Sequence, residues 1–110
     1  LVHKDNSQEL INPAGIALGF DKGPIFQRTI KEQAIPLASG DRVVLYTDGV
    51  VEAMNGKNVE YGNERFYEFC RKYREVPSTE FIERLLADLN LHKGMAEQHD
   101  DITIVTLRVE

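Results

Sequence analysis

Residues 41–53, Asp41-Arg42-Val43-Val44-Leu45-Tyr46-Thr47-Asp48-Gly49-Val50-Val51-Glu52-Ala53, hold the pattern around which the rest of this chain is read. The apolar run Val43, Val44, Leu45 and Tyr46 predicts a buried strand, and it ends abruptly at Thr47, Asp48 and Gly49. The carboxylate of Asp48 is therefore expected where a strand emerges. A short acid held by a rigid sheet, followed by a glycine that lets another group approach closely, is a common construction for a metal or phosphate site. Asp-Gly is equally a routine hairpin signal, and on the dipeptide alone the turn has the stronger claim.

The 110 residues fit one domain, or part of a larger one, with a modest core. A net charge of -5 gives no basic surface suited to nucleic acid, and polyanion partners are not expected. No apolar run approaches the roughly 20 residues that a membrane helix requires, and no signal peptide opens the chain, so a cytoplasmic protein with no membrane insertion by this segment is expected. The single cysteine, Cys70, rules out an internal disulfide and falls in a helical apolar pattern, which predicts a packed thiol and not a nucleophile. Leu1 is not an initiator methionine, and Lys4 to Gln8 reads as a loop between strands. Both observations predict a piece of a longer chain.

Outward from the opening stretch, Val2 and His3 and then Glu9 to Asn12 are expected to be short strand pieces around a turn at Asp5, Asn6 and Ser7. Pro13, Gly15, Gly19, Gly23 and Pro24 predict a packed loop. Loose alternation from Ile25 to Ile35 suits a half-exposed strand, turned by Ser39, Gly40 and Asp41 into the next to give an antiparallel pair. Residues 54–62 read as loop. A helix from about Asn63 to Tyr73 follows, with Asn63 as its cap and Phe66, Phe69, Cys70 and Tyr73 on one face. Ser78 is the expected cap of a second helix with Phe81, Ile82, Leu85, Leu86 and Leu89 on its face and Gly94 as its stop. Ile102 to Val109 predicts a strand, with Ile102, Ile104 and Leu107 or Val109 inward and Thr103, Thr106 and Arg108 outward.

His99-Asp100-Asp101 lies just before that last strand, a second acidic feature at a strand boundary. If both strands share a sheet, Asp48 and Asp100 can meet at one edge. Two carboxylates completed by waters offer the hard oxygen ligands that Mg²⁺ or Mn²⁺ favours, whereas adjacent surface aspartates are more often simply solvated. His99 beside two acids reads as a surface pair, and His3 and His92 show no partner pattern. Cys70 and the histidines lack the paired spacing of a zinc site. An aspartyl-phosphate enzyme would ordinarily place a second acid two positions after Asp48, where Val50 stands.

Taken together, Gly40-Asp41, Tyr46-Thr47-Asp48-Gly49-Val50, Glu52-Ala53, Asn55, Tyr61-Gly62 and Asp100-Asp101-Ile102-Thr103, in that order around two helices, resemble the SpoIIE-type branch of the metal-dependent PPM serine/threonine phosphatases. The resemblance extends back to Gly15-Ile16-Ala17-Leu18-Gly19, where the family often has proline in place of Ala17. It implies an α+β fold, part of a four-layer α-β-β-α sandwich of antiparallel strands with two adjacent helices. It also implies that Asp48 and Asp100 hold the second metal of a binuclear Mn²⁺ or Mg²⁺ centre, with Asp101 in support and Thr47, Gly49, Glu52 and Thr103 shaping the site. In such enzymes a metal-activated water attacks the phosphorus in line, without a phosphoenzyme.

The family's earlier Asp-Gly-x-Gly-His-Gly-like motif, whose aspartate bridges both metals, has no counterpart in these 110 residues. The expectation is therefore that residues 1–110 are the carboxy-terminal part of a single phosphatase domain, without its amino-terminal half and inactive alone. The whole protein is expected to act on phosphoserine or phosphothreonine of a bacterial regulatory protein, such as an anti-sigma-factor antagonist. The alternative is a non-catalytic PPM-like interaction domain in a signalling protein, against which the presence of both Asp48 and Asp100 argues. Exposed sheet edges and uncovered apolar faces leave a homodimer open.

Overall fold

The computed structural model describes residues 1–11, 34–98 and 100–110. Within them the elements run β1 (Arg42–Tyr46), α1 (Asn63–Lys72), α2 (Ser78–Lys93) and β2 (Ile104–Arg108), an α+β fold. The two strands pair antiparallel, with Arg42 opposite Arg108 and Tyr46 opposite Ile104. Val2 bridges β1, its N–H donating to the Arg42 carbonyl and its carbonyl accepting from the Arg42 N–H, both at 2.8 Å. The expected strand pieces around Asp5 to Ser7 reduce to such bridges, Val2 to Gln8 and Val2 to Arg42, because the turn consumes the intervening backbone groups. The expected loop over 13–24 lies outside the described residues. So does the expected strand over 25–35 except Ala34 and Ile35, which are not in a strand.

The period-two alternation of the strands sorts their side chains onto two unlike faces. Val44, Tyr46, Ile104 and Arg42 turn toward the helices and meet Phe66, Phe81 and Leu85, all essentially inaccessible to solvent. Tyr46 packs its ring 4.5 Å from that of Phe66. On the other face Leu45, Val105 and Leu107 are 61%, 54% and 45% exposed. β1 is thus buried on one face only, not throughout. Thr106 points toward the core, the reverse of the expected orientation, and of the alternatives Leu107 or Val109 it is Leu107 that points away from it.

A buried arginine explains that reversal. Arg42 is fully buried, and its Nε donates to the Arg74 carbonyl at 2.9 Å while Nη2 donates to the Val76 carbonyl. Nη1 donates to the Thr106 hydroxyl at 2.9 Å and, at 3.4 Å, to that of Ser78. The guanidinium lies over the Phe81 ring, 4.6 Å from its centroid. Thr106 completes the set by donating to the Val43 carbonyl at 2.9 Å. A buried cation is tolerated only when its donors are satisfied, and here they fasten the connection between α1 and α2 to the sheet.

The helices follow their apolar spacing. Phe66, Phe69 and Cys70 are buried on α1, as are Phe81, Leu85 and Leu89 on α2. Leu86 departs from expectation and is 43% exposed, because the face that meets the core is narrower than the apolar run. The caps also shift by one residue: Gly62, at φ 87°, and Pro77 precede the helices, and Asn63 and Ser78 are their first residues. Ser78 instead offers its hydroxyl to Arg42. No helix among the described residues is long and apolar enough to cross a membrane.

Candidate functional site

β1 stops at Tyr46 because the chain turns sharply. The Val50 N–H donates to the Thr47 carbonyl at 3.1 Å and the Glu52 N–H to the Asp48 carbonyl at 2.9 Å. This turn drives Val50 and Val51 into the core and leaves Asp48 and Glu52 exposed. Asp48-Gly49 is therefore both a turn and an acid at a strand end, although no hairpin partner follows it.

The segment before β2 lies against this turn. The Thr47 N–H donates to the Thr103 carbonyl at 3.1 Å, and the Thr47 hydroxyl donates to the Asp101 carbonyl at 3.2 Å and accepts from the Thr103 N–H at 3.1 Å. Gly49 is buried against the same place. A Cβ at this position would overlap the Asp101 carbonyl oxygen and stand 3.0 Å from its carbon, so only glycine allows the approach. Asp48 sits between Thr47 and Gly49, and Asp100 immediately precedes Asp101. The backbone thus brings residues 47–49 against residues 101–103.

Both aspartates are exposed. One Asp100 carboxylate oxygen accepts the Asp101 N–H at 2.8 Å, and among the described residues neither aspartate forms an ion pair. Two unneutralised carboxylates are the donor chemistry that Mn²⁺ or Mg²⁺ takes. Among the described residues no three metal-ligating side chains converge. A cavity of about 430 Å³ opens beside Asp100, with Gly49, Glu52, Lys93, Asp100 and Ile102 in its wall; Asp48 does not line it. A larger one of about 720 Å³ lies between the helices, around Arg65, Phe69, Arg84 and Leu91. Of these two cavities, the smaller one has Asp100 in its wall.

The loop leaving the site is also fixed. The Asn55 side chain accepts the N–H groups of Lys57 and Val59, at 2.9 and 3.0 Å, and the Tyr61 N–H returns to the Ala53 carbonyl at 2.8 Å. The Tyr61 hydroxyl donates to Asp88 at 2.5 Å, and burial together with this carboxylate pushes the phenol well above its usual value. Cys70 is buried, which pushes its thiol up to about 12, as a packed thiol requires.

The histidines were less legible. His3 has two partners where none was expected: Nε2 meets Glu9 at 2.6 Å and Nδ1 meets Asp41 at 3.1 Å. Glu9 first, and then Asp41, holds its pKa above the ordinary value. Asp41 is buried, and the Ala38 N–H, ahead of His3, keeps its carboxyl below the usual range. His92 accepts from Arg65 at Nδ1, at 3.2 Å, and donates from Nε2 to the Val59 carbonyl at 2.9 Å. No short-range pattern announces the contacts with Asp41, 38 residues from His3, or with Val59, 33 from His92, whereas Glu9 is only six residues from His3. His99 lies outside the described residues.

A sequence model of the family described as stage II sporulation protein E (SpoIIE) matches residues 1–110. Among solved structures the chain is similar to one described as the SiaA-PP2C domain of Pseudomonas aeruginosa, with 34% identity and a TM-score of 0.66. That match covers 69% of this chain and 31% of the other, so the chain spans about a third of the solved relative. No match is found among curated proteins. With the family matched from end to end and the PP2C fold shared at this identity, the chain belongs to the SpoIIE-type branch of the PPM phosphatases.

Proposed function

We propose that residues 1–110 supply the carboxy-terminal part of a phosphatase domain that hydrolyses phosphoserine or phosphothreonine on a bacterial regulatory protein in the cytoplasm. An anti-sigma-factor antagonist is the kind of substrate we have in mind. The observation that carries the reading is the contact of Thr47 and Gly49 with Asp101 and Thr103, which brings the segments bearing Asp48 and Asp100 to one exposed edge. Asp48 and Asp100 then hold Mn²⁺ or Mg²⁺, which when bound lowers the pKa of water and neutralises phosphoryl charge. The remaining ligands, including a bridging carboxylate, come from the preceding half of the domain, so residues 1–110 alone have no turnover. The apolar outer face of Leu45, Val105 and Leu107 is the surface which that half covers in the four-layer sandwich, and the isolated chain can self-associate through it.

The test is calorimetry with Mn²⁺ and turnover of a phosphorylated protein, both on the full-length protein. Asp48→Asn and Asp100→Asn should each weaken Mn²⁺ binding by at least about tenfold and reduce turnover with it. Unchanged Mn²⁺ affinity in Asp48→Asn would remove the assigned role. The second reading is a non-catalytic PPM-like interaction domain, against which the presence of both Asp48 and Asp100 argues. It predicts a full-length protein with no Mn²⁺-dependent turnover.

A further inference from the structure

We propose that Thr47 is a positioning residue whose hydroxyl replaces a missing rung of the β-ladder and thereby sets the separation of Asp48 and Asp100. The inference rests on the metal-site reading above and deepens it, by naming which bonds of one side chain fix the geometry of that site.

The register places Tyr46 opposite Ile104, so the next antiparallel pair is Thr47 with Thr103. A regular hydrogen-bonded pair of this kind exchanges both backbone bonds. Only one is made, from the Thr47 N–H to the Thr103 carbonyl at 3.1 Å. The Thr47 carbonyl is diverted into the turn, where it accepts from Val50, so the Thr103 N–H has lost its ladder acceptor. The Thr47 hydroxyl takes that place at 3.1 Å. Its proton goes to the Asp101 carbonyl at 3.2 Å, so one side-chain oxygen fastens two successive parts of the opposing segment.

The chain can thus turn at Asp48 without releasing the segment that carries Asp100. A carbonyl cannot serve both Val50 and Thr103 from one direction, whereas a hydroxyl on the preceding Cβ can accept and donate at once. Thr47 is exposed, so packing does not account for the residue. Gly49 supplies the complementary contact by admitting the Asp101 carbonyl where any Cβ would exclude it. Each aspartate is one residue from this clamp, which is the place where a lost hydrogen bond alters ligand geometry rather than ligand chemistry.

The experiment compares Thr47→Val, Thr47→Ser and Asp48→Asn in the full-length protein. Mn²⁺ affinity is read by calorimetry and KM for a phosphorylated protein at saturating Mn²⁺. Thr47→Val keeps the shape and removes both hydroxyl bonds, and should weaken Mn²⁺ binding by about 10–100-fold with KM unchanged. Thr47→Ser keeps the hydroxyl and should bind Mn²⁺ as the wild type does. Wild-type affinity in Thr47→Val, or equal loss in both variants, would overturn the role. So would a Thr47→Val protein without a cooperative melting transition, which would assign Thr47 to the fold alone. If Asp48→Asn weakens Mn²⁺ binding while Thr47→Val does not, only the positioning role fails. Full Mn²⁺ affinity in Asp48→Asn defeats the metal-site reading and this role with it.

Discussion

The two ends of β1 treat their polar groups in opposite ways. At Arg42 the guanidinium is fully buried and divided among two backbone carbonyls, two hydroxyls and an aromatic face. At Asp48, past the other end, the carboxylate is exposed and outside any ion pair among the described residues. Five residues of strand thus join a centre whose charge is consumed by the fold to an edge whose charge is left for something else. Burial of a charge is affordable only with complete hydrogen bonding, and a ligand site needs the reverse, rigid backbone with unsatisfied side chains.

Replacing the first end should have the largest effect. Arg42→Ala strands the Arg74 and Val76 carbonyls and opens a cavity above Phe81, and should lower stability by about 3–5 kcal/mol by urea denaturation. A loss no larger than that of an exposed arginine would break the contrast. Next comes Gly49→Ala, at the other end. Its methyl must displace the Asp101 carbonyl, which should cost about 1–3 kcal/mol in the same measurement. Because the strain falls on the segment that carries Asp100, Mn²⁺ affinity of the full-length protein should fall as well. Asp48→Asn, by contrast, should change stability by no more than about 0.5 kcal/mol, so that the two ends differ in what they hold and not only in how exposed they are.

The smallest effect is a pH dependence. Glu9 and Asp41 raise the pKa of His3 above its ordinary 6.5. The stabilisation this gives is complete below pH 6.5 and is lost as pH rises through the higher folded-state value. Urea midpoints of the wild type and His3→Gln, compared between about pH 5 and about pH 8, should therefore converge toward the alkaline end. A gap that widens with pH would have the wrong sign.

What could be read from the sequence divides along the same strand. The helices were legible because Phe66, Phe69 and Cys70, and Phe81, Leu85 and Leu89, repeat at the spacing of a helical face. The candidate site reads from the sequence as two acids at two strand boundaries, which the motif order ties together. The Arg42 end was hidden. Thr106 reads as an outward residue because its partner is 64 positions away, and the choice between Leu107 and Val109 as inward stays open because sequence alone cannot show how far the second face of the sheet is exposed. The caps shift by one residue: Gly62 and Pro77 precede the helices, and neither makes a side-chain cap hydrogen bond.

Cys70 carries a last consequence. The sequence has one thiol, it faces the core from α1, and burial holds it in the unreactive protonated form. An alkylating reagent can reach it only in molecules whose helix has lifted off the sheet. Its labelling rate is then a clock for that opening, read from the mass of the unmodified protein without any introduced probe.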